Sequence, residues 1–283
     1  MKISIVIPAY NEEESIEKVI NDLKKYLPNQ EIIIVNDGST DKTEQILKTI
    51  DNIKIVTHIE NQGYGASLKT GISQASGEYI LITDADGTYP IDAIPELVKY
   101  AEKYDMVSGM RQGKNHDARW LYSQKLAKFI LKKMASYVTK TKIPDINCGL
   151  RIFKKEVIKK YWNLYPQGFS FTSTSLVAFL SNNYQVKFIP IDYYKRTGKS
   201  TLRPFKSFAA FINLILKISL FFKPIKIFMP LAVLFFLLAI CITIYGFIWK
   251  GIFFDTTVII ISATALQTFF FGLLAEIIVH NRK

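Results

Sequence analysis

The chain is poor in the residues that build small cross-linked or metal-stapled proteins. Its 283 residues include two cysteines and three histidines, His58, His116 and His280. Two cysteines cannot supply a disulfide framework, and the histidines lack the spacing of a zinc site. Acidic residues are also scarce, 24 Asp and Glu against 36 Lys and Arg, which leaves a formal net charge of +12. That excess suits an anionic partner: nucleic acid, a membrane surface or a phosphorylated small molecule. Nucleic acid is not expected, because no basic stripe interleaved with aromatics occurs outside the membrane-proximal part. With 49% hydrophobic residues the chain is not a disordered tail, and its length is enough to bury a substantial core.

Charge is missing altogether from two stretches. Phe228 to Trp249 is twenty-two residues without a charge, and Thr256 to Ala275 is another twenty, prolonged past Glu276 by Ile277, Ile278 and Val279. A bilayer core needs roughly 20 apolar residues as a helix, so two spans are expected at about 228–249 and 256–279. A pair of buried core helices is the alternative, and so complete a lack of charge over both lengths disfavours it. The linker Lys250 to Asp255 allows only a tight hairpin. Lys223 and Lys226 precede the first span and Arg282 and Lys283 follow the second, so the positive-inside bias puts both ends and the preceding domain in the cytoplasm. Met1 leads straight into a strand-like run, and no signal peptide is expected. Between Pro204 and Phe222, Lys206, Ala210, Asn213 and Lys217 recur at spacings of four, three and four, leaving Phe205, Phe208, Phe211, Ile212, Ile215 and Ile218 on the apolar side. That pattern predicts a helix lying in the membrane interface over 204–223.

The first 203 residues read as a separate α/β domain. Strand-like runs at Ile3–Ile7, Glu31–Val35, Ile53–Thr57, Tyr79–Thr83 and Met106–Ser108 alternate with helical patterns at Glu13–Tyr26, Asp41–Ile50 and Ile91–Tyr100, and Trp120–Val138 follows. Such alternation predicts a mainly parallel sheet, Rossmann-like, covered on both faces. Ligands bind such sheets beyond the carboxyl ends of the strands. Pro8-Ala9-Tyr10-Asn11-Glu12 follows the first strand, with Pro8 ending it and Asn11 able to cap the next helix. Asn36-Asp37-Gly38-Ser39-Thr40-Asp41 follows the second, with Asp37 open to a base or ribose, and Asp84-Ala85-Asp86-Gly87-Thr88 follows the fourth. Each alone is common turn chemistry. Together they put three polar turns on one edge.

Transfer from a nucleotide diphosphate needs this arrangement. Two carboxylates two residues apart can present oxygens to one hard divalent ion, which stabilises the departing diphosphate. Two glycine-bearing strings are decoys. Gly63-Tyr64-Gly65-Ala66-Ser67-Leu68 lacks the third glycine of a dinucleotide fingerprint and does not follow the first strand; Thr197-Gly198-Lys199-Ser200 ends like a phosphate loop, but Tyr193 occupies the position of its first glycine.

Ile7-Pro8-Ala9-Tyr10-Asn11-Glu12, Val35-Asn36-Asp37-Gly38-Ser39-Thr40-Asp41, Asn61-Gln62-Gly63-Tyr64-Gly65 and Asp84-Ala85-Asp86 resemble the successive motifs of family 2 glycosyltransferases with the GT-A fold. Asp145-Ile146-Asn147-Cys148-Gly149-Leu150-Arg151-Ile152-Phe153 and Lys195-Arg196-Thr197-Gly198-Lys199-Ser200 resemble the branch of dolichyl-phosphate mannose synthase and the polyprenyl-phosphate hexose transferases. The resemblance covers nearly the whole chain, the interfacial helix and two-helix tail included. It implies that Pro8, Ala9, Tyr10, Glu12, Val35 and Asp37, with Asp84 and Ala85, hold the nucleotide sugar. It implies that Asp84 and Asp86 hold magnesium or manganese, Asp86 being the surer ligand. Arg111 stands near the acceptor phosphate, and Arg196 and Lys199 fall in a basic loop that closes over the phosphates. Catalysis is thereby assigned to Asp86, Arg111 and Arg196. Thr88 departs from the pattern, since many relatives carry a glutamine there that completes the metal site. A second arginine of the branch has no direct counterpart; Arg119, Lys125 and Lys128 are candidates and Lys125 is preferred.

The activity so implied is transfer of a hexose, with inversion, from a nucleotide diphosphate sugar to a polyprenyl phosphate, dolichyl or undecaprenyl, in the cell membrane or an equivalent internal membrane. The acceptor is already anionic, so no side-chain base is needed. A processive polysaccharide synthase is an alternative, but His116-Asp117-Ala118-Arg119-Trp120 replaces the Gln-x-x-Arg-Trp string of those enzymes and comes too early. A non-catalytic scaffold is a second alternative. The sugar, the base and the oligomeric state, a homo-oligomer included, stay open at this stage.

Overall fold

The computed structural model describes residues 1–112, 122–168, 170–194, 216, 219–251 and 256–280. The amino-terminal unit, Met1–Ile212, is built on a seven-stranded sheet of order β3-β2-β1-β4-β6-β5-β7. Its strands are β1 (Ile3–Ala9), β2 (Glu31–Asn36), β3 (Lys54–Thr57), β4 (Tyr79–Ile82), β5 (Met106–Gln112), β6 (Arg151–Lys154) and β7 (Val186–Asp192). All pairings are parallel except those of β6, which runs antiparallel to both β4 and β5. The sheet is thus mainly parallel, and the five strand runs read from the sequence recur at nearly the same residues. β6 and β7 were not read, because neither is a continuous apolar run.

The helices of this unit are α1 (Ile16–Tyr26), α2 (Thr43–Lys48), α3 (Tyr64–Gln74), α4 (Ile94–Tyr100), α5 (Tyr122–Thr139), α6 (Lys155–Lys160) and α7 (Phe171–Ser181). α1 buries Ile16, Val19, Ile20 and Leu23, one stripe at helical spacing, and leaves its lysines outside. Against it lies the apolar core of Ile5, Ile7, Ile34 and Leu81. α3 packs on the other sheet face through Gly71, where an added Cβ would run into Val6 and come within 3.2 Å of Val35 Cγ2. All eleven residues of α7 are buried, so its hydroxyls turn back on the main chain: Ser173 Oγ and Thr174 Oγ1 donate to the Ser170 carbonyl at 3.0 and 2.7 Å.

Two local expectations are corrected. β1 continues through Pro8 to Ala9, because the β4 ladder already ends at Val6 and Pro8 needs no partner on that side. Asn11 does not cap α1, which starts five residues later; with φ at 55° it turns back, and its Oδ1 accepts from the Thr40 N–H at 2.8 Å.

The second unit, Asn213–Lys283, contains α8 (Ile225–Lys250) and α9 (Thr256–His280). Ala232, Ala239, Val258 and Ala265 are its buried small and apolar side chains, and Gly272 sits where a Cβ would be 2.6 Å from that of Phe228. Glu276 accepts the Ile225 N–H at 3.1 Å, supplying α8 with the cap that its own sequence lacks. Ile225–Trp249 and Thr256–Val279 are long and apolar enough to cross a membrane, with mean hydropathies of 2.9 and 2.0. Only 11% and 17% of these stretches are buried, which separates them from soluble core helices. The expected interfacial helix lies outside the described residues, apart from Leu216 and the segment from Ser219 onward.

Gly71→Ala is expected to lower stability by about 1–3 kcal/mol through overpacking, read as a lower unfolding temperature, with no direct effect on substrate affinity.

Candidate active site

The chemistry gathers at one edge because of strand direction. β1, β2, β4, β5 and β7 all present their carboxyl ends there. The reversed strand β6 presents its amino end, and so brings the Asp145–Leu150 loop to the same edge. Along it run the turns after β2 and β1, then the acidic turn after β4, then Arg111 on β5 and Tyr193 after β7.

The first two turns form one platform. The Asn11 N–H donates to Ser39 Oγ at 3.1 Å, the Glu12 N–H to Thr43 Oγ1 at 2.9 Å and the Lys42 N–H to Glu13 Oε2 at 2.9 Å. Tyr10 and Glu12 are half-buried on this platform, while Ala9 is buried. Val35 is wholly buried against α3, so its side chain serves the core and not a pocket.

Asp37 is less open than expected, being only 3% exposed. Its Oδ1 accepts from the Gln62 N–H at 2.9 Å and meets His58 Nδ1 at 2.7 Å, and its Oδ2 accepts from the Gly63 N–H at 2.9 Å. His58 Nε2 is in turn 3.0 Å from Thr70 Oγ1. The carboxylate therefore ties the 61–63 loop to β2. Gly38 permits the same closure: φ is 69° and a Cβ there would lie 2.7 Å from the Glu60 carbonyl carbon.

Asp84 and Asp86 follow β4. Tyr64 donates its phenol to Asp84 Oδ1 at 2.9 Å, and burial, reinforced by that carboxylate, holds the Tyr64 pKa well above the ordinary value, so the proton stays on the phenol. Asp84 lies against Gly149, where a Cβ would come within 2.8 Å of its carboxylate. Asp86 is 7% exposed, and its Oδ1 accepts from Thr88 Oγ1 at 2.6 Å and from the Thr88 N–H at 3.1 Å. Thr88 thus orients the acid. Ala85 is buried between the two.

Two hard oxygen donors fit a divalent cation. Among the described residues no group of three or more His, Cys, Asp or Glu gathers to bind a metal, so such an ion would take its other ligands from substrate and water. A pair of carboxylates suits magnesium or manganese better than zinc.

Arg111 is clamped from one side. Its Nε donates to Asp145 Oδ2 at 2.7 Å and its Nη2 to Asp145 Oδ1 at 2.9 Å, a bidentate pair with side chains 11% and 3% exposed. The Tyr193 ring lies 5.2 Å from the guanidinium carbon. Burial opposes the charge, but Tyr89 and Asp145 outweigh it and hold the Arg111 pKa well above the ordinary value. Asp145 belongs to a quoted motif yet had no role assigned from sequence. Its spacing to Arg111 carries no local signal; only the reversed strand brings the two together.

Beneath Asp145 the loop is pinned by Arg151, which is 0% exposed. It donates to the carbonyls of Cys148 and Ile146, each at 2.8 Å, and to that of Thr172 on α7. Burial lowers its pKa, yet each of its three nitrogens donates to a carbonyl. Gly65, read as a decoy, is required by the 166–168 backbone: a Cβ there would lie 2.7 Å from the Gly168 carbonyl oxygen, and the Ala66 N–H is occupied by the Gln167 carbonyl at 2.7 Å. Arg196 and Lys199 lie outside the described residues, as do Arg119 and the side chains of Lys125 and Lys128 on α5.

A mainly parallel sheet with one reversed strand, a nucleotide-type platform and an aspartate pair after β4 defines the GT-A class. The glucosyl-3-phosphoglycerate synthase of Mycobacterium tuberculosis, solved with Mn2+, UDP and its glucosylated product, shares that fold: the TM-score is 0.59 at 20% identity, over 77% of this chain and 79% of that one. Residues 4–162 match glycosyl transferase family 2, and residues 223–280 match the GtrB C-terminal hairpin. The chain belongs to glycosyl transferase family 2. It is 32% identical over 202 residues to the undecaprenyl-phosphate 4-deoxy-4-formamido-L-arabinose transferase of Photorhabdus laumondii, covering 68% of this chain and 59% of the relative. It is 25% identical over 219 residues to the dolichyl-phosphate hexose transferase of Haloferax volcanii, covering 77% and 94%. The chain therefore spans less than two thirds of the arabinose-type relative's own length.

Cys148 sits under this site and burial pushes its thiol up to about 12, against about 8.5 for an exposed cysteine. In a Cys241→Ser background, native protein is expected to resist iodoacetamide at pH 8.5 and to alkylate fully once unfolded, by mass spectrometry.

Proposed function

We propose that this chain is a membrane-bound inverting glycosyltransferase that moves a hexose from a nucleotide diphosphate sugar to a polyprenyl phosphate. The observation that carries the reading is the division of one sheet edge. A nucleotide platform lies on the β2–β1 side, an aspartate pair in the middle, and a clamped arginine on the β5–β6 side. The donor's diphosphate belongs in the middle and an anionic acceptor beside Arg111. The names of the relatives, which act on undecaprenyl and dolichyl phosphates, support a lipid acceptor. So do the two C-terminal helices.

The nucleoside lies on the Pro8–Glu12 turn. A carboxylate offers about four acceptor positions, and Asp37 uses three on its own protein, which leaves one for a base or ribose donor. Asp84 and Asp86 would hold magnesium or manganese, which as a Lewis acid stabilises the charge on the leaving diphosphate. Tyr64 and Thr88 keep the two acids oriented. Arg111, with its Nε edge spent on Asp145, offers its remaining N–H groups to the acceptor phosphate. Arg196, Lys199 and Lys125 complete the acceptor site in this reading. An oxygen of the lipid phosphate attacks the anomeric carbon. The bond from that carbon to the diphosphate breaks, and the nucleoside diphosphate leaves with the electron pair. No proton is removed, so charge stabilisation and alignment supply the catalysis. A single displacement inverts the anomeric centre.

Residues 1–203 form the catalytic domain, 204–223 an interfacial helix and 224–283 the anchor. The lysines before α8 and the basic terminus after α9 favour a cytoplasmic catalytic domain and cytoplasmic termini.

Membranes carrying the chain are expected to convert labelled nucleotide sugar and polyprenyl phosphate into an organic-extractable monosaccharide lipid. Asp86→Asn should lower that rate at least ~100-fold; full activity in this variant would sink the metal role, and an insoluble polymer would indicate a processive synthase. Asp145→Asn should cost roughly 10-fold or more in kcat/KM for the lipid phosphate, as expected on unpinning a charged group. The KM for nucleotide sugar should change little.

A further inference from the structure

Asp86 follows β4 and Arg111 lies on β5, yet a chain of side chains joins them. The Thr88 hydroxyl has one proton, and at 2.6 Å it goes to Asp86 Oδ1. Thr88 Oγ1 is also the side-chain hydrogen-bond partner of the Tyr193 phenol. The same Tyr193 ring packs edge-on to Tyr89 at 5.5 Å and lies 5.2 Å from the Arg111 guanidinium carbon. A second tie runs through the backbone, where the Thr88 carbonyl accepts the Tyr194 N–H at 2.9 Å. Thr88 is 1% exposed, so water does not compete for these bonds.

An ordinary aspartate turn explains part of this. The Thr88 N–H on Asp86 Oδ1, with Gly87 at φ 67°, would form with any residue at position 88 that has an N–H. The hydroxyl and its phenol partner are not required by the turn. They fix the carboxylate plane and connect it to the residue that supports Arg111.

We propose that Thr88 and Tyr193 act as a positioning pair, setting the Asp86 carboxylate for a divalent cation and tying it to the arginine on the acceptor side. The inference rests on the metal-assisted transfer reading above. Neither residue touches substrate in this account; both act through Asp86 and Arg111. Thr88 therefore replaces a third protein ligand with a fixed orientation of the second.

The test is Mn2+ binding to the full chain in detergent, followed by electron paramagnetic resonance in the presence of UDP or GDP. Thr88→Val, which keeps the shape and deletes the hydroxyl, should raise the Mn2+ Kd by ~10-fold or more, the usual cost of losing a group that orients a metal ligand. Thr88→Ser should restore most of the affinity. Tyr193→Phe, which keeps the ring over Arg111, should raise the Kd by less, and should add nothing in the Thr88→Val background, because the chain is already cut. Metal-free nucleotide affinity and the unfolding temperature of Thr88→Val should stay near those of the parent. Wild-type affinity in Thr88→Val, no rescue by serine, or full additivity of the two substitutions would each overturn the pair. Failure of the unsubstituted chain to bind Mn2+ with either nucleotide would instead overturn the metal reading itself, and the pair with it.

Discussion

The buried guanidinium of Arg151 is the interaction on which the site depends. A charge with no solvent exposure is costly unless it is hydrogen-bonded, and here each nitrogen meets a main-chain carbonyl from one of two places, the 146–148 loop and the start of α7. Through those bonds one side chain holds the loop that carries Asp145, Cys148 and Gly149. Asp145 clamps Arg111 and Gly149 makes room for Asp84. Removing the arginine would therefore loosen both Arg111 and Asp84. A hydrophobic residue of similar size could fill the space, but it would take the donor from the buried Ile146 and Cys148 carbonyls, while the Thr172 carbonyl would keep Ser175 Oγ at 3.0 Å.

The reversed strand is what makes this economy work. In an all-parallel sheet the segment entering β6 would lie at the opposite edge, away from the ligands. Running antiparallel, β6 delivers the Asp145–Leu150 loop between the β4 turn and β5. Along the edge Asp145 pairs with Arg111, Arg151 engages carbonyls, and Asp84 and Asp86 take hydrogen bonds from hydroxyls. Pre-set charges of this kind need no reorganisation when a substrate arrives.

Much of this was legible before the fold was seen. Short apolar runs separated by helical stripes marked β1 to β5, and two charge-free stretches marked α8 and α9. The aspartates after β2 and β4 were found because turns after parallel strands are where ligands bind. What stayed hidden has physical causes. β6 is four residues that begin and end in charge, Arg151 and Lys154, so nothing in its pattern says that Arg151 is buried. α7 is buried all round and shows no stripe. Tyr64, His58 and Asp145 act through partners 20 to 34 residues away, a distance that no local motif encodes. Asp37, expected to face a ligand, lies buried under the 61–63 loop as a strut, a role that depends on a loop 25 residues away and leaves no mark on the turn sequence. The resemblance of Asp145–Phe153 to a known branch flagged the segment; the role of its first residue came only from the geometry.

The most direct test of the account is the product itself. Full-length protein in vesicles containing polyprenyl phosphate is supplied with an α-linked nucleotide sugar labelled at the anomeric carbon, and the lipid extract is examined by carbon and phosphorus NMR. The account predicts one sugar per lipid, its anomeric carbon joined through oxygen to a single phosphorus in the β configuration. An α-linked product, a sugar joined elsewhere than to phosphate, or an extract without labelled lipid would contradict it.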